Sequence, residues 1–165
     1  MKKLFTLLFI AGSLTLTSCG GDAKKTGSDS PTVSTDTTSS SALEINGDSD
    51  SSKAGSLQSV YFGFNSAVLT AATRTALETN AQFLKDNPSV EVQVEGHCDE
   101  RGGVQFNIAL GEKRARTVKR YLTTMGVSAS RIQTISYGKE RPIAFGHDDS
   151  AWSQNRRGNF VITAK

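Results

Sequence analysis

A run of chemically versatile side chains follows the clearest strand pattern in the chain. Residues 90–95 (VEVQVE) alternate apolar and polar side chains, and residues 96–103 (GHCDERGG) come directly after them. Strict alternation indicates a β-strand. Binding sites in open α/β sheets form beyond the carboxyl ends of strands, and the flanking glycines allow a sharp turn there. Asp99 is therefore a candidate anionic group of a binding site.

A basic residue lies inside the apolar stripe of the second predicted helix, which runs from about residue 107 to 125. At about 100° per residue, several apolar side chains lie within about 40° of Arg114: Leu110, Val118, Tyr121 and Met125. The other basic residues of this helix lie outside the stripe. A buried guanidinium keeps its charge, so we expect a carboxylate partner. That partner belongs either to a structural ion pair or to a ligand gripped by the guanidinium fork, unless the head group reaches water.

Asp99 and Arg114 together could form the two poles of one pocket. If the glycine-flanked turn brings Asp99 toward the following helix, an amine would meet Asp99 and a carboxylate would meet Arg114. The sequence therefore favours a site for a zwitterion.

The elements that would position these residues alternate between strand and helix. We expect strands at residues 59–64, 90–95, 132–137 and 160–162 and a short helical turn near residues 152–155. A first helix begins after the N-cap Thr70, buries Leu77, Ala81 and Leu84, and ends at Asn87 before Pro88. The second helix ends at Gly126. This order predicts an α/β sandwich, one sheet with helices on one face.

The N-terminal part of the chain differs in composition from this domain. Lys2 and Lys3 precede an apolar run at residues 4–16, which is shorter than the roughly 20 residues that span a bilayer and suits a cleavable signal peptide at residues 1–18. Residues 16–19 (LTSC) resemble a bacterial lipobox, in which Cys19 is acylated and becomes the mature N-terminus. The alternative is an ordinary signal peptide with an incidental cysteine. By resemblance to lipoprotein sorting rules, Gly20 in place of Asp implies export to the outer membrane.

Residues 20–56 are rich in Ser, Thr, Gly and Asp, and we expect a flexible linker there because isolated apolar residues cannot offset the entropy of ordering. The folded domain is predicted at residues 57–165. This part holds 14 basic and 10 acidic residues, a surplus too small for a typical nucleic-acid interface. We interpret Arg156, Arg157 and the basic residues between 113 and 120 other than Arg114 as solvated instead.

Metal chemistry is disfavoured because neighbours in the 97–100 run point to alternate faces of an extended strand. No cofactor is expected. Parity along the strand places Cys98 on its apolar side, so we interpret it as a small buried residue.

Four motifs in order resemble the OmpA-like domain family, most closely its peptidoglycan-associated lipoprotein branch: residues 94–102 (VEGHCDERG), 107–115 (NIALGEKRA), 136–142 (SYGKERP) and 155–157 (NRR). The resemblance covers residues 57–165 and implies a mixed four-stranded sheet. It implies non-enzymatic binding of meso-diaminopimelate in peptidoglycan stem peptides, with Asp99 on the amine and Arg114 on the carboxylate. Phe64 and Leu110 match pocket-lining positions. Asn65 stands where the family often has Asp, which removes one negative charge near the ligand's ammonium.

The same resemblance implies an outer-membrane lipoprotein whose domain faces the periplasm. It also implies a protein partner, TolB, and a place in the Tol–Pal system that supports envelope integrity and cell division. The alternative is a structural lipoprotein that fastens the wall to the outer membrane without recruiting TolB.

Overall fold

The structure, a computed structural model, describes residues 43–165; the predicted signal peptide, Cys19 and the first part of the predicted linker lie outside the described residues. Within this range no helix is long and apolar enough to cross a bilayer. The elements, in chain order, are β1 (Val60–Tyr61), α1 (Ala71–Asp86), β2 (Glu91–His97), α2 (Val104–Thr124), a 3-10 turn (Ala129–Arg131), β3 (Ile132–Gly138), α3 (Asp149–Asn155) and β4 (Arg157–Ala164).

The four strands form one mixed sheet in the order β1-β4-β2-β3. Strands β2 and β3 are parallel, as a helical crossover through α2 requires, and β4 runs antiparallel to both β1 and β2. The predicted α/β sandwich with a mixed four-stranded sheet is therefore confirmed.

Helices α1 and α2 pack on one face of this sheet. The predicted stripe of α1 (Leu77, Ala81 and Leu84) is fully buried in the same cluster as Val92 and Val94 of β2 and the residues that pair with them on β4. The predicted N-cap is also present, since the Thr70 side chain accepts from the Thr73 amide. Periodicity identifies this helix well because Leu77, Ala81 and Leu84 recur at helical spacing, although Thr73 and Asn80 are buried as well.

Helix α2 lies unusually close to β2 because two glycines face each other. A Cβ on Gly96 would be 1.9 Å from the Gly111 carbonyl oxygen, and a Cβ on Gly111 would be 2.2 Å from the Ser136 hydroxyl. Neither position has room for a larger residue. This contact sets the position of α2 relative to the end of β2, and therefore the position of Arg114 relative to Asp99.

Two predicted boundaries differ from the structure around the loops that matter for function. The first strand has only two paired residues rather than six, because the chain turns away at Gly63 and Asn65 has a positive φ of 48°. Helix α2 begins three residues earlier than predicted. Val104 and Phe106 lie in its first turn and are exposed. The apolar periodicity of the buried face therefore does not extend to the start of the helix.

Residues 43–56 do not behave as the predicted linker. The Ser49 amide donates to the Phe160 carbonyl, and the Asn46 amide donates to the Ile162 carbonyl, so this segment pairs with the part of β4 that lies beyond the short β1. Ala54 is fully buried in the core. Residues 43–56 therefore belong to the folded part, because backbone pairing and a few small side chains hold a segment that lacks an apolar pattern.

Candidate ligand-binding site

A cavity of about 150 Å³ opens beyond the carboxyl end of β2, between the turn after β1 and the start of α2. Its lining includes all five residues predicted for the site: Phe64, Asn65, Asp99, Leu110 and Arg114. It also includes Cys98, Arg101, Gly102, Phe106 and Asn107. The residues inferred separately from a strand end, a helix stripe and a family resemblance thus lie around one space.

Arg114 is fully buried at the base of this cavity, and its hydrogen bonds go to neutral groups. Its Nε donates to the Ser66 carbonyl at 2.9 Å, its Nη2 to the Gly63 carbonyl at 3.0 Å, and its Nη1 to the His97 carbonyl at 2.6 Å. Nη1 also contacts the Cys98 sulfur at 3.4 Å. No carboxylate of the described residues forms an ion pair with Arg114. One of the explanations offered for its position in the apolar stripe, a structural ion pair, is therefore wrong for the part of the chain that the structure describes.

Arg114 is therefore a buried cation that contacts no counter-charge among the described residues. Burial lowers the pKa of Arg114, and the nearby Cys98 and Asp99 act in the opposite direction. Arginine nevertheless remains protonated in proteins. Carbonyl dipoles solvate the guanidinium but leave its net charge in a low-dielectric setting, which attracts an anion.

Asp99 is the opposite pole and is also almost entirely buried. Arg101 contacts both of its oxygens, with Nη2 to Oδ2 at 2.7 Å and Nε to Oδ1 at 3.3 Å, and Arg156 Nη1 reaches Oδ2 at 3.3 Å. Burial by itself would raise the pKa of this carboxyl. The hydrogen bonds from Arg101 and Arg156 outweigh it and hold the pKa of Asp99 below its usual range, so the group is ionised at neutral pH.

The walls between these poles are apolar and partly open. Phe64 is 62% exposed and Phe106 is 53% exposed, which is unusual for side chains of this size in a folded domain. Leu110 continues this surface along α2. Asn65 adds an amide at the rim in a left-handed conformation that Asn and Asp both tolerate.

The cavity also contains Cys98, which the strand pattern correctly predicted to be buried. Its sulfur donates to the Asn107 carbonyl at 3.3 Å. Burial raises the pKa of this thiol, and the neighbouring Arg114 offsets that only in part. The sulfur is therefore a packed thiol rather than an activated thiolate.

Sequence reasoning assigned Arg156 and Arg157 to a solvated surface, and this interpretation is wrong. Both arginines are buried, with 8% and 2% of their surface exposed. Arg156 donates to Asp99 and to the Phe62 carbonyl, while Arg157 Nε donates to Asp50 at 2.6 Å. Their carboxylate partners are distant in sequence, so no local pattern could reveal the pairing.

Arg101 lines the site but had no predicted role. Its guanidinium lies between the rings of Phe64 and Trp152, 4.0 Å from each ring centroid. Trp152 belongs to α3, which the sequence indicated only as a short helical turn. The one available signal was the presence of Arg two residues after Asp99, a spacing that permits a local bidentate contact.

Comparisons with known proteins agree with this architecture. The OmpA family model matches residues 61–156. A peptidoglycan-associated lipoprotein of Pasteurella multocida is 38% identical over 157 residues, which cover 95% of this chain and 97% of that protein. The corresponding lipoprotein of Haemophilus influenzae is 47% identical over 98 residues, covering 59% of this chain and 64% of that protein.

Solved structures show the same fold. The crystal structure of the peptidoglycan-associated lipoprotein from Burkholderia pseudomallei matches with a TM-score of 0.61 and 42% identity, covering 63% of this chain and 88% of that one. The C-terminal domain of Helicobacter pylori MotB matches with a TM-score of 0.61 but only 21% identity, over 66% of this chain and 85% of that one, and supports the fold alone. The resemblance expected from the four motifs is confirmed: this chain belongs to the OmpA family, in its peptidoglycan-associated lipoprotein branch.

Proposed function

We propose that the domain binds peptidoglycan through the zwitterionic end of a meso-diaminopimelate residue. The observation that carries this proposal is Arg114, a fully buried cation whose contacts are neutral and which lines the same cavity as the anionic Asp99. A ligand carboxylate would supply the missing counter-charge, and its ammonium would approach Asp99. Diaminopimelate carries an amine and a carboxylate on one carbon, as these poles require.

The remaining walls suit the rest of such a ligand. Phe64 and Leu110 would contact its aliphatic chain, and Asn65 would accept a hydrogen bond from its ammonium without adding charge. The relatives are named as peptidoglycan-associated lipoproteins, which supports peptidoglycan as the polymer that carries the ligand.

The proposed role is binding rather than catalysis. The acidic group of the cavity is held ionised by two arginines, and the thiol of Cys98 has a raised pKa, so neither a general acid nor an activated nucleophile is available among these groups. Recognition of the wall then requires neither turnover nor a cofactor.

The whole chain would connect this domain to a membrane. Acylation at Cys19 would anchor it in the outer membrane, with the domain in the periplasm, and recruitment of TolB would place it in the Tol–Pal system. Cys19→Ser should leave the precursor without acyl chains, and mass spectrometry that finds acyl chains on this variant would refute the anchor. A pull-down with TolB separates the Tol–Pal role from a purely structural attachment to the wall.

Sedimentation with purified sacculi tests the site. Asp99→Asn and Arg114→Lys should lose binding, and free meso-diaminopimelate should release the wild-type protein. Arg116→Gln is the matched control, because Arg116 lies on the exposed face of α2 and pairs only with Glu112 among the described residues. Circular dichroism must show that each variant is folded. If both site variants sediment like the wild type, the two poles have been assigned wrongly.

A further inference from the structure

The carboxylate of Asp99 has no vacant acceptor position. Its Oδ1 accepts from the Arg101 amide at 3.2 Å and from Arg101 Nε at 3.3 Å. Its Oδ2 accepts from Arg101 Nη2 at 2.7 Å and from Arg156 Nη1 at 3.3 Å. A carboxylate offers about four lone-pair positions, and these four contacts use them. A ligand ammonium can therefore reach Asp99 only if one of the present donors leaves.

The two arginines differ in how firmly they are held. The side chain of Arg156 is 10% exposed and also donates to the Phe62 carbonyl and to Asp149. The side chain of Arg101 is 32% exposed, and among the described residues Asp99 is the sole polar partner of its guanidinium. Moving the Arg101 guanidinium breaks two hydrogen bonds, both to Asp99, whereas moving that of Arg156 breaks three and exposes a more buried side chain, so Arg101 is the donor that can leave.

The position of Arg101 also covers an apolar surface of the cavity. Its guanidinium is stacked between Phe64 and Trp152 at 4.0 Å from both centroids, so the inner face of the Phe64 ring is occupied by a cation. If Arg101 moves, the Phe64 ring face and the Asp99 oxygens become available together. The ligand ammonium would then take the position that the Arg101 guanidinium occupies beside Asp99 and Phe64.

We propose that Arg101 is an internal competitor: it occupies the ammonium position of the site in the free protein and is displaced when a zwitterionic ligand binds. This inference rests on the proposed function. It also assigns a specificity role, because a ligand with a carboxylate but no amine cannot replace Arg101 at Asp99. Such a ligand leaves the guanidinium in place and gains only the contact with Arg114.

The test uses calorimetry and the single tryptophan of the chain. The probe is a soluble stem peptide that ends in meso-diaminopimelate, and the same peptide with its terminal amine acetylated is the matched ligand. The proteins are the wild type, Arg101→Gln and the control Arg116→Gln. Loss of the competitor should tighten binding of the free-amine peptide roughly tenfold, the scale of one partly exposed ion pair with its cation–π contacts.

Trp152 fluorescence reports the displacement directly. Because Arg101 is stacked on the indole, the free-amine peptide should change the emission of the wild type and of Arg116→Gln, and most of that change should be absent in Arg101→Gln. If Arg101→Gln binds the peptide as weakly as the wild type or more weakly, the competitor role is wrong and the proposed function stands. If none of the three proteins binds the peptide, the proposed function and the inference fall together.

Discussion

Replacement of Arg114 tests whether this residue supports the fold as well as the site. Its guanidinium joins α2 to two other segments: the turn after β1, through the carbonyls of Gly63 and Ser66, and the end of β2, through the carbonyl of His97. Arg114→Ala leaves these three acceptors without a donor and creates a cavity beneath α2. The variant should therefore be less stable than the wild type even when no ligand is present.

The magnitude follows from these contacts. Each hydrogen bond from a charged donor contributes about 1.5–3 kcal/mol, but the variant also avoids the cost of burying a guanidinium. Each buried carbonyl left without a donor costs about 1–3 kcal/mol, and the avoided burial of the guanidinium offsets part of this, so we expect a net loss of about 3–5 kcal/mol. For a domain of this length the melting temperature should fall by about 10–20 °C. With a typical stability of about 5–15 kcal/mol, the domain should remain folded in the cold.

Thermal melts followed by circular dichroism, without ligand, measure this effect. Arg116→Ala is the control, because it removes an exposed arginine of the same helix whose pair with Glu112 contributes about 0.3–0.5 kcal/mol. If Arg114→Ala and Arg116→Ala melt at the same temperature, Arg114 does not hold the three segments together. Its burial would then need another explanation, and the binding assays could use the alanine variant directly.

Three further outcomes follow from other parts of the structure. Asn65→Asp should bind the diaminopimelate peptide as tightly as the wild type or more tightly, and calorimetry that shows clearly weaker binding would assign Asn65 another role. Burial lowers the pKa of His97 despite its contact with Glu95, so the free energy of unfolding should fall as the pH drops below about 6.5, by up to about 1.4 kcal/mol per pH unit. Urea titrations of His97→Gln should lack this pH-dependent loss of stability. Asp50→Ala should cost about 3–5 kcal/mol in a urea titration because it leaves Arg157 buried without its carboxylate; an unchanged midpoint would mean that the 43–56 segment adds no stability.

Apolar periodicity was enough to predict the elements whose core-facing side is mainly apolar. Helix α1 and strand β2 have such faces, and their positions agree with the prediction to within a few residues. Arg114 was detected by the same method as an exception, since a charged residue in an apolar stripe requires a specific environment. The method fails for residues 43–56, where backbone hydrogen bonds to β4 replace an apolar pattern.

The details of the site depend on contacts between distant segments, which a single sequence does not contain. The carbonyls around Arg114 come from the turn after β1 and the end of β2, and the ring that covers Arg101 comes from α3. Asp99 was predicted as an open acceptor for an amine. Arg101 is close to it in the sequence, but Arg156 reaches it only because the junction of α3 and β4 lies beside the end of β2.

The consecutive arginines at the junction of α3 and β4 connect the site to residues 43–56. Arg156, the C-cap residue of α3, donates to Asp99 beside the cavity, whereas Arg157, the first residue of β4, donates to Asp50. Residues 43–56 and the cavity therefore share one short stretch of backbone. A change that releases the segment would free the start of β4 and, with it, one of the two donors that keep Asp99 ionised.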